Sequence, residues 1–173
     1  IIIINGEPNS IFLEIFFKAL RYKKFRSPLI LISSLKILKL QMKKFKFKNN
    51  INLIEYKDFK KNIIDNKSIN LINVKYKQKK VFEKISNKSN SFIKNSFDIA
   101  LYILKEGISN KFINGPISKK SFLNKNYLGI TEYLSKKTNS KKTAMLIYNK
   151  SLSVCPLTTH LPLKMVAKKL LKI

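Results

Sequence analysis

Short apolar runs alternate with amphipathic stretches along this chain, and the alternation predicts strands that are each followed by a helix. Residues 1–4 are continuously apolar, which predicts a buried strand. A polar loop follows, and Ser10 is placed to cap the helix that comes next. That helix is predicted to bury one stripe of side chains, formed by Leu13, Phe16, Phe17 and Leu20.

The same pattern repeats further along the chain. A second strand is predicted at residues 29–32 and a second helix at residues 34–45, with Ser33 and Ser34 as candidate caps. Residues 46–84 contain short apolar patches between lysine-rich connectors, which predicts short strands and loops.

The clearest helical signal covers residues 89–106. Its predicted apolar stripe comprises Phe92, Phe97, Ala100, Leu101 and Leu104. Gly107 is placed to end this helix, in a position that commonly needs a left-handed backbone. A short strand is predicted at residues 111–114. Because strands and helices alternate, the sequence predicts a layered α/β fold.

Three further elements are predicted toward the C-terminus. A helix begins at Gly129, residues 144–148 and 152–157 pair as strands across a tight turn, and Pro162 opens a helix over residues 163–171.

Two loops that follow predicted strands contain candidate binding groups. Gly6 allows a close backbone approach, and the helix start behind it is able to face an anion, although an ordinary turn also explains this loop. In residues 115–120, Ser118 is a candidate helix cap and Lys119 would lie in the first helical turn, where a cation opposes the helix dipole. That placement suggests an anionic ligand near Lys119, whereas an ordinary surface lysine is the alternative.

His160 is the only histidine of the chain, and it lies in the stretch SVCPLTTHLPL at residues 153–163. The first half of this stretch predicts a buried strand that brings His160 to its C-terminal tip, where ligands collect in open α/β sheets. An imidazole at that place can bind a metal, transfer a proton or hydrogen-bond a neighbouring loop. The pattern alone leaves these three roles open.

The net charge of +27, from 36 basic and 9 acidic residues, would by itself favour a nucleic-acid partner. Two observations oppose that interpretation. Arg21 and Arg26 are the only arginines, although nucleic-acid sites favour arginine. The lysines are also spread over the whole chain among abundant Ile, Asn and Phe, which share A/T-rich codons. Biased base composition is therefore the preferred explanation, and no nucleic-acid partner is expected.

Length and composition, 173 residues of which 45% are hydrophobic, fit one globular domain or a large part of one. Because the chain starts inside a strand without Met and stops inside a helix, we expect residues 1–173 to be the N-terminal portion of a longer protein. Cys155 is the only cysteine, which excludes an internal disulfide, and it is predicted to be buried. The apolar segment 28–40 is too short to span a membrane, so no membrane partner is expected and the cytoplasm is the default location.

Four motifs occur in order and at reasonable spacing, and together they resemble the 4-hydroxythreonine-4-phosphate dehydrogenases of vitamin B6 synthesis. The resemblance covers essentially the whole chain, which corresponds to about the first half of a family member. The motifs are NGEPNSI (5–11), INGPISKKSF (113–122), GITEYL (129–134) and TTHLPL (158–163).

This resemblance implies an NAD-dependent oxidation of a secondary alcohol in a small phosphorylated substrate, followed by decarboxylation. It implies a layered α/β/α fold like that of isocitrate and isopropylmalate dehydrogenases, incomplete here, and a homodimer with its site at the subunit boundary. A divalent metal (Zn, Mg or Co) would polarise the alcohol oxygen. Its other histidine ligands would lie downstream, so this stretch alone is expected to be inactive.

The resemblance also assigns roles to individual residues. His160 falls on the family's first metal-binding histidine. Ile130 and Thr131 fall on a substrate-contacting His-Thr pair, so the threonine is kept and the histidine is lost. Lys119, from the loop argument above, joins them as a candidate substrate-binding residue. Neither catalytic nor NAD-binding residues are assigned.

Two alternative functions remain open. Because Ile130 replaces the histidine, a dehydrogenase for a related phosphorylated sugar acid, threonate or erythronate phosphate, is the close alternative. A basic RNA-binding protein is the alternative from another class, and only the charge supports it.

Overall fold

The computed structural model describes residues 1–123, 126–140, 143–158 and 161–170. The chain forms two compact units, Ile1–Phe122 and Leu123–Ile173. Within the described residues no helix has the length and apolar character needed to cross a membrane.

The first unit is built on a sheet of five parallel strands in the order β3-β4-β2-β1-β5. The strands are β1 (Ile2–Ile4), β2 (Ile30–Ser33), β3 (Ile51–Leu53), β4 (Ile69–Asn73) and β5 (Phe112–Asn114). Strands β2 to β4 lie on one side of β1, whereas β5 pairs with its other side. The order of the strands therefore reverses at β1, which creates a switch point between β1 and β5.

Three helices cover the sheet: α1 (Phe12–Tyr22), α2 (Leu35–Lys44) and α3 (Asn90–Lys105). Alternate strand residues and the apolar faces of α1 and α2 form one core cluster, made of Ile3, Leu13, Phe16, Phe17, Leu31, Ile37, Leu38, Phe47, Ile69 and Leu71. The intervening strand residues point to the opposite face. Among them Ile2, Ile4 and Ile32 are fully buried, and α3 packs against β1 and β2. The predicted layered α/β fold is confirmed.

Helix α3 confirms most of its predicted features. Gly107 follows it with a φ of 71°, and its N–H donates to the carbonyl oxygen of Leu104 at 3.1 Å, as in a glycine-terminated helix. The buried face is displaced from the prediction, because Ile93 and Ile103 are fully buried while Leu101 and Leu104 are only half-buried. Leu101 lies at the margin of the face that meets the sheet, and Leu104 lies in the last turn.

The predicted cap of α2 is wrong. Ser34 occupies the N-cap position, but it makes no side-chain cap hydrogen bond. The backbone N–H of Leu35 instead donates to Oδ1 of Asn73 at 2.9 Å. Because β4 lies beside β2 in the sheet, the side chain at the end of β4 reaches the start of α2 and satisfies a free amide.

The second unit contains α4 (Ile130–Lys137) and α5 (Leu163–Leu170), close to the predicted positions. The predicted strand pair at residues 144–148 and 152–157 is reduced to one antiparallel bridge between Ile147 and Val154. The prediction of buried strand residues is wrong here, and Cys155 is exposed. A two-stranded ladder is marginally stable unless another layer covers its apolar face, and these side chains are open to solvent in the described part of the unit.

Candidate functional site

The carboxyl ends of β1 and β5 lie side by side at the switch point, where Ile4 is paired with Asn114. Two loops leave the sheet there. We call residues 5–11 the β1 loop and residues 115–118 the β5 loop. In open α/β sheets this is the crevice in which ligands bind. The candidate site is therefore placed at this edge.

The two loops cross at a pair of glycines. A Cβ atom built on Gly6 would lie 2.4 Å from the carbonyl oxygen of Pro116, and one built on Gly115 would lie 2.2 Å from the carbonyl oxygen of Asn5. The N–H of Glu7 donates to the carbonyl oxygen of Pro116 at 2.7 Å. The close backbone approach predicted for Gly6 is thus confirmed, and the neighbour it admits is the β5 loop.

Glu7, the residue after Gly6 at this crossing, is buried, with only 2% of its surface exposed. Its Oε1 accepts hydrogen bonds from the backbone N–H and from Nδ2 of Asn9, both at 3.2 Å. Its Oε2 accepts a hydrogen bond from Oγ of Ser89 at 2.7 Å. Asn9 is held in turn, because its Oδ1 accepts from Nε2 of Gln78 and from the N–H of Glu83. These bonds fix the β1 loop against the segment that leads into α3.

Tyr76 lies beside this polar group. Burial raises the pKa of its phenol, and the negative charges of Glu7 and Glu83 raise the pKa further. The phenol is protonated at neutral pH, as in an ordinary tyrosine, and is able to donate a hydrogen bond.

The β5 loop leads into a single helical turn, Lys119–Leu123. Oγ of Ser118 accepts a hydrogen bond from the N–H of Ser121 at 3.1 Å, which confirms Ser118 as a cap. Nδ2 of Asn90, the first residue of α3, donates to the carbonyl oxygen of Ser121 at 2.8 Å. Lys119 is the first residue of this turn, as predicted, and its side chain is exposed. In the β1 loop, Oγ of Ser10 accepts from the N–H of Phe12 at 3.3 Å.

Several buried polar atoms near the carboxyl edge have no hydrogen-bond partner among the described residues. They include Nδ2 of Asn5, directly after β1, Oγ of Ser33, at the end of β2, and Oε1 of Gln41. Nε2 of Gln41 donates to the carbonyl oxygen of Pro8 at 3.2 Å. Buried polar groups are nearly always paired, so these atoms are candidates for ligand contact. For Asn5 and Ser33 the sequence signal is a polar residue at the end of an apolar strand, whereas Gln41 lies within α2 and has no such signal.

The other predicted site residues belong to the second unit. Thr131 lines a polar pocket of about 310 Å³ along α4, together with Glu132, Ser135, Lys136, Asn139, Ser140 and Thr143. Ile130 is the first residue of α4. His160 lies outside the described residues. Within those residues no group of three or more His, Cys, Asp or Glu side chains is arranged to hold a metal ion.

A pocket of about 450 Å³ opens at the opposite edge of the sheet, beside the starts of β2 and β4. Its floor is largely apolar and includes Phe16, Leu20, Leu29 and Ile69. Volume alone does not make it the better site, because none of the loops at the carboxyl ends of the strands reaches it.

The parallel sheet and the switch point in its strand order place the chain among the open α/β proteins. Residues 24–172 match the model of a family described as pyridoxal phosphate biosynthetic protein PdxA. This chain belongs to that family. The resemblance inferred from the four sequence motifs is confirmed.

Relatives named 4-hydroxythreonine-4-phosphate dehydrogenase occur in two strains of Acidithiobacillus ferrooxidans. They are 34% identical to this chain over 74 residues, which are 42% of this chain and 22% of the relative.

Solved structures are similar over nearly the whole chain. One from Salmonella typhimurium, which carries the same enzyme name provisionally, has a TM-score of 0.80 and 25% identity. Two structures of 4-hydroxythreonine-4-phosphate dehydrogenases are less similar in sequence and support only the shared fold. The one from Klebsiella pneumoniae has a TM-score of 0.79 and 21% identity, and the one from Burkholderia phymatum has a TM-score of 0.80 and 19% identity. The matches cover 96%, 98% and 97% of this chain but 53%, 53% and 52% of the solved chains. The chain therefore spans about half the length of these relatives.

Proposed function

We propose that this chain is the N-terminal portion of an NAD-dependent, metal-dependent dehydrogenase that oxidises and decarboxylates 4-hydroxythreonine 4-phosphate in pyridoxal phosphate synthesis. The match of residues 24–172 to the PdxA family carries the proposal. The polar loops at the switch point between β1 and β5 support it, since ligands of open α/β sheets bind at such points. We call the longer chain, of which these residues are proposed to be part, the complete protein.

The residues described here do not by themselves fit a divalent metal. A protein metal site needs several ligands, and the described residues contain no suitable group of three. The chain contributes one imidazole, His160. We propose His160 as one ligand of a metal site whose remaining ligands lie in the rest of the complete protein.

Lys119 is proposed to hold the anionic group of the substrate. It starts a helical turn directly after the β5 loop, and its side chain is exposed. In the complete protein, Lys119→Ala should raise the KM for the phosphorylated substrate roughly tenfold, because a charge-assisted hydrogen bond contributes about 1.5 kcal/mol or more. Steady-state kinetics measure this effect.

Lys120→Ala is the matched control, because Lys120 is the next residue of the same turn and is also exposed. Its KM should stay within about twofold of the unchanged protein. Equal effects of the two substitutions on KM would show that Lys119 is an ordinary surface lysine.

The exact substrate is proposed with one alternative. Ile130 cannot donate the hydrogen bond that a histidine would make, whereas Thr131 keeps a hydroxyl that lines the α4 pocket. A dehydrogenase for threonate or erythronate phosphate is therefore the second candidate. Comparing kcat/KM of the complete protein for 4-hydroxythreonine 4-phosphate and for the two sugar-acid phosphates separates them. The higher value identifies the substrate.

We also propose a homodimer, supported by apolar side chains that stay exposed in the second unit. They include Leu146, Ile147, Tyr148, Leu152, Val154 and Leu157. Contiguous exposed apolar groups mark protein interfaces, and a second copy is the partner we expect. Ile147→Asp should shift the sedimentation of the complete protein from dimer to monomer. The control Lys94→Asp, on the exposed side of α3, should not, and a monomeric unchanged protein would refute the dimer.

A further inference from the structure

Glu7 places a carboxyl group in a buried position next to the crossing of the two loops. Its surface is 2% exposed, and it forms no ion pair among the described residues. It is also one of only nine acidic residues in a chain with 36 basic ones. A buried carboxyl group is tolerated only where hydrogen bonds replace its lost hydration, and Glu7 accepts three of them.

The start of α3 binds both the β1 loop and the Lys119 turn. Ser89, directly before the helix, donates to Oε2 of Glu7 at 2.7 Å. Asn90, the next residue, donates to the carbonyl oxygen of Ser121 within the Lys119 turn at 2.8 Å. Two adjacent side chains, Ser89 at the N-cap of α3 and Asn90 at its first residue, therefore fix the distance between Glu7 and that turn.

The backbone provides a second connection between the same parts. The N–H of Glu7 donates to the carbonyl oxygen of Pro116 at 2.7 Å. Ser118, two residues later, caps the Lys119 turn through the N–H of Ser121. Because Oε1 of Glu7 is held by Asn9, the carboxyl group cannot rotate without breaking bonds inside the β1 loop.

We propose that Glu7 is the positioning residue of the Lys119 turn. Its carboxyl group joins the β1 loop to the start of α3, and its backbone joins the same loop to the β5 loop. The turn is thereby placed before substrate arrives, which reduces the ordering that binding requires. The consequence for substrate binding rests on the proposed function of Lys119, whereas the structural connection does not.

The first test is kinetic and uses the complete protein. Glu7→Ala should raise the KM for the phosphorylated substrate about fivefold to tenfold and change kcat by less than about twofold, because the anion contact is loosened. Glu7→Gln should recover most of the lost affinity. A glutamine oxygen can accept both bonds from Asn9, and its amide can donate to the hydroxyl of Ser89.

Asn70→Ala provides a control for lost stability. Asn70 is 1% exposed and its Nδ2 donates to the carbonyl oxygens of Leu29 and Asp65, on the side of the sheet away from the crevice. Its loss should lower the melting temperature without changing KM. An equal rise of KM in Asn70→Ala would show that any loss of stability has this effect, which would overturn the proposal.

A double-mutant cycle tests whether Glu7 acts through Lys119. The KM of the double variant Glu7→Ala/Lys119→Ala should equal that of Lys119→Ala alone, because the turn then has no cation left to position. If the effects of the two substitutions on KM multiply, Glu7 influences substrate binding independently of Lys119.

Hydrogen exchange of the complete protein tests the structural connection without using activity. The amides of Ser121 and Phe122 are bonded to Ser118, and their exchange should accelerate about tenfold in Glu7→Ala but not in Asn70→Ala. Acceleration together with an unchanged KM in Lys119→Ala would refute the proposed role of Lys119 and leave Glu7 as the positioning residue. Unchanged exchange in both Glu7→Ala and Glu7→Gln would refute the role of Glu7.

Discussion

Gly6→Ala and Gly115→Ala are each expected to lower the free energy of unfolding of the complete protein by roughly 3 kcal/mol or more. The new Cβ atoms would meet backbone oxygens at 2.4 and 2.2 Å, and backbone atoms cannot rotate away as a side chain would. Gly6 also has a φ of 71°, which adds strain for any other residue. Both substitutions separate the β1 loop from the β5 loop, so activity should fall with stability.

Gly107→Ala is the matched control for this result. Gly107 has the same φ of 71°, but a Cβ atom there would have no neighbour within 4 Å. Gly107→Ala should lower the free energy of unfolding by only about 1 kcal/mol, which is the strain of the left-handed backbone. Urea denaturation measures all three variants. If Gly6→Ala and Gly115→Ala cost no more than Gly107→Ala, the crossing of the two loops is not as close as described.

His160→Ala should abolish metal-dependent turnover in the complete protein, with a loss of at least about a hundredfold. The expectation comes from the TTHLPL motif, since His160 lies outside the described residues. A lost metal ligand removes bound metal and activity together, whereas a lost structural hydrogen bond lowers stability and leaves activity per folded molecule. Metal content and melting temperature, measured on the same sample, distinguish these outcomes.

Two results would give clear answers for His160. A folded variant without metal and without turnover would support its role as a ligand. A folded variant with full metal occupancy and normal turnover would refute that role.

Local patterns predict β1 and β2 well because these strands are buried on both faces and appear as continuous apolar runs. Strand β5, at the edge of the sheet, is predicted from a shorter apolar stretch and is only partly buried. Gly107 was equally clear, since the end of a helix depends on neighbouring residues. Asn73 was not predicted as the cap of α2, because that bond depends on the order of strands in the sheet.

The candidate site also contains residues that local sequence predicts and contacts that it does not. Ser118 and Lys119 follow from the sequence around one turn, so their places were predicted. The bond between Glu7 and Ser89 joins residues 82 positions apart, and no short motif indicates it. The segment around Val154 is predicted to be buried but is exposed. Apolar residues indicate that a segment will be covered, but they do not indicate which surface covers it.

The most direct test of the proposed function is the reaction itself. The complete protein, supplied with 4-hydroxythreonine 4-phosphate, NAD and Zn²⁺, Mg²⁺ or Co²⁺, should form NADH and carbon dioxide in equal amounts. A chelator should stop the reaction, and one of these metals should restore it. Absence of NADH formation with all three metals, from a folded protein of full length, would contradict the proposal.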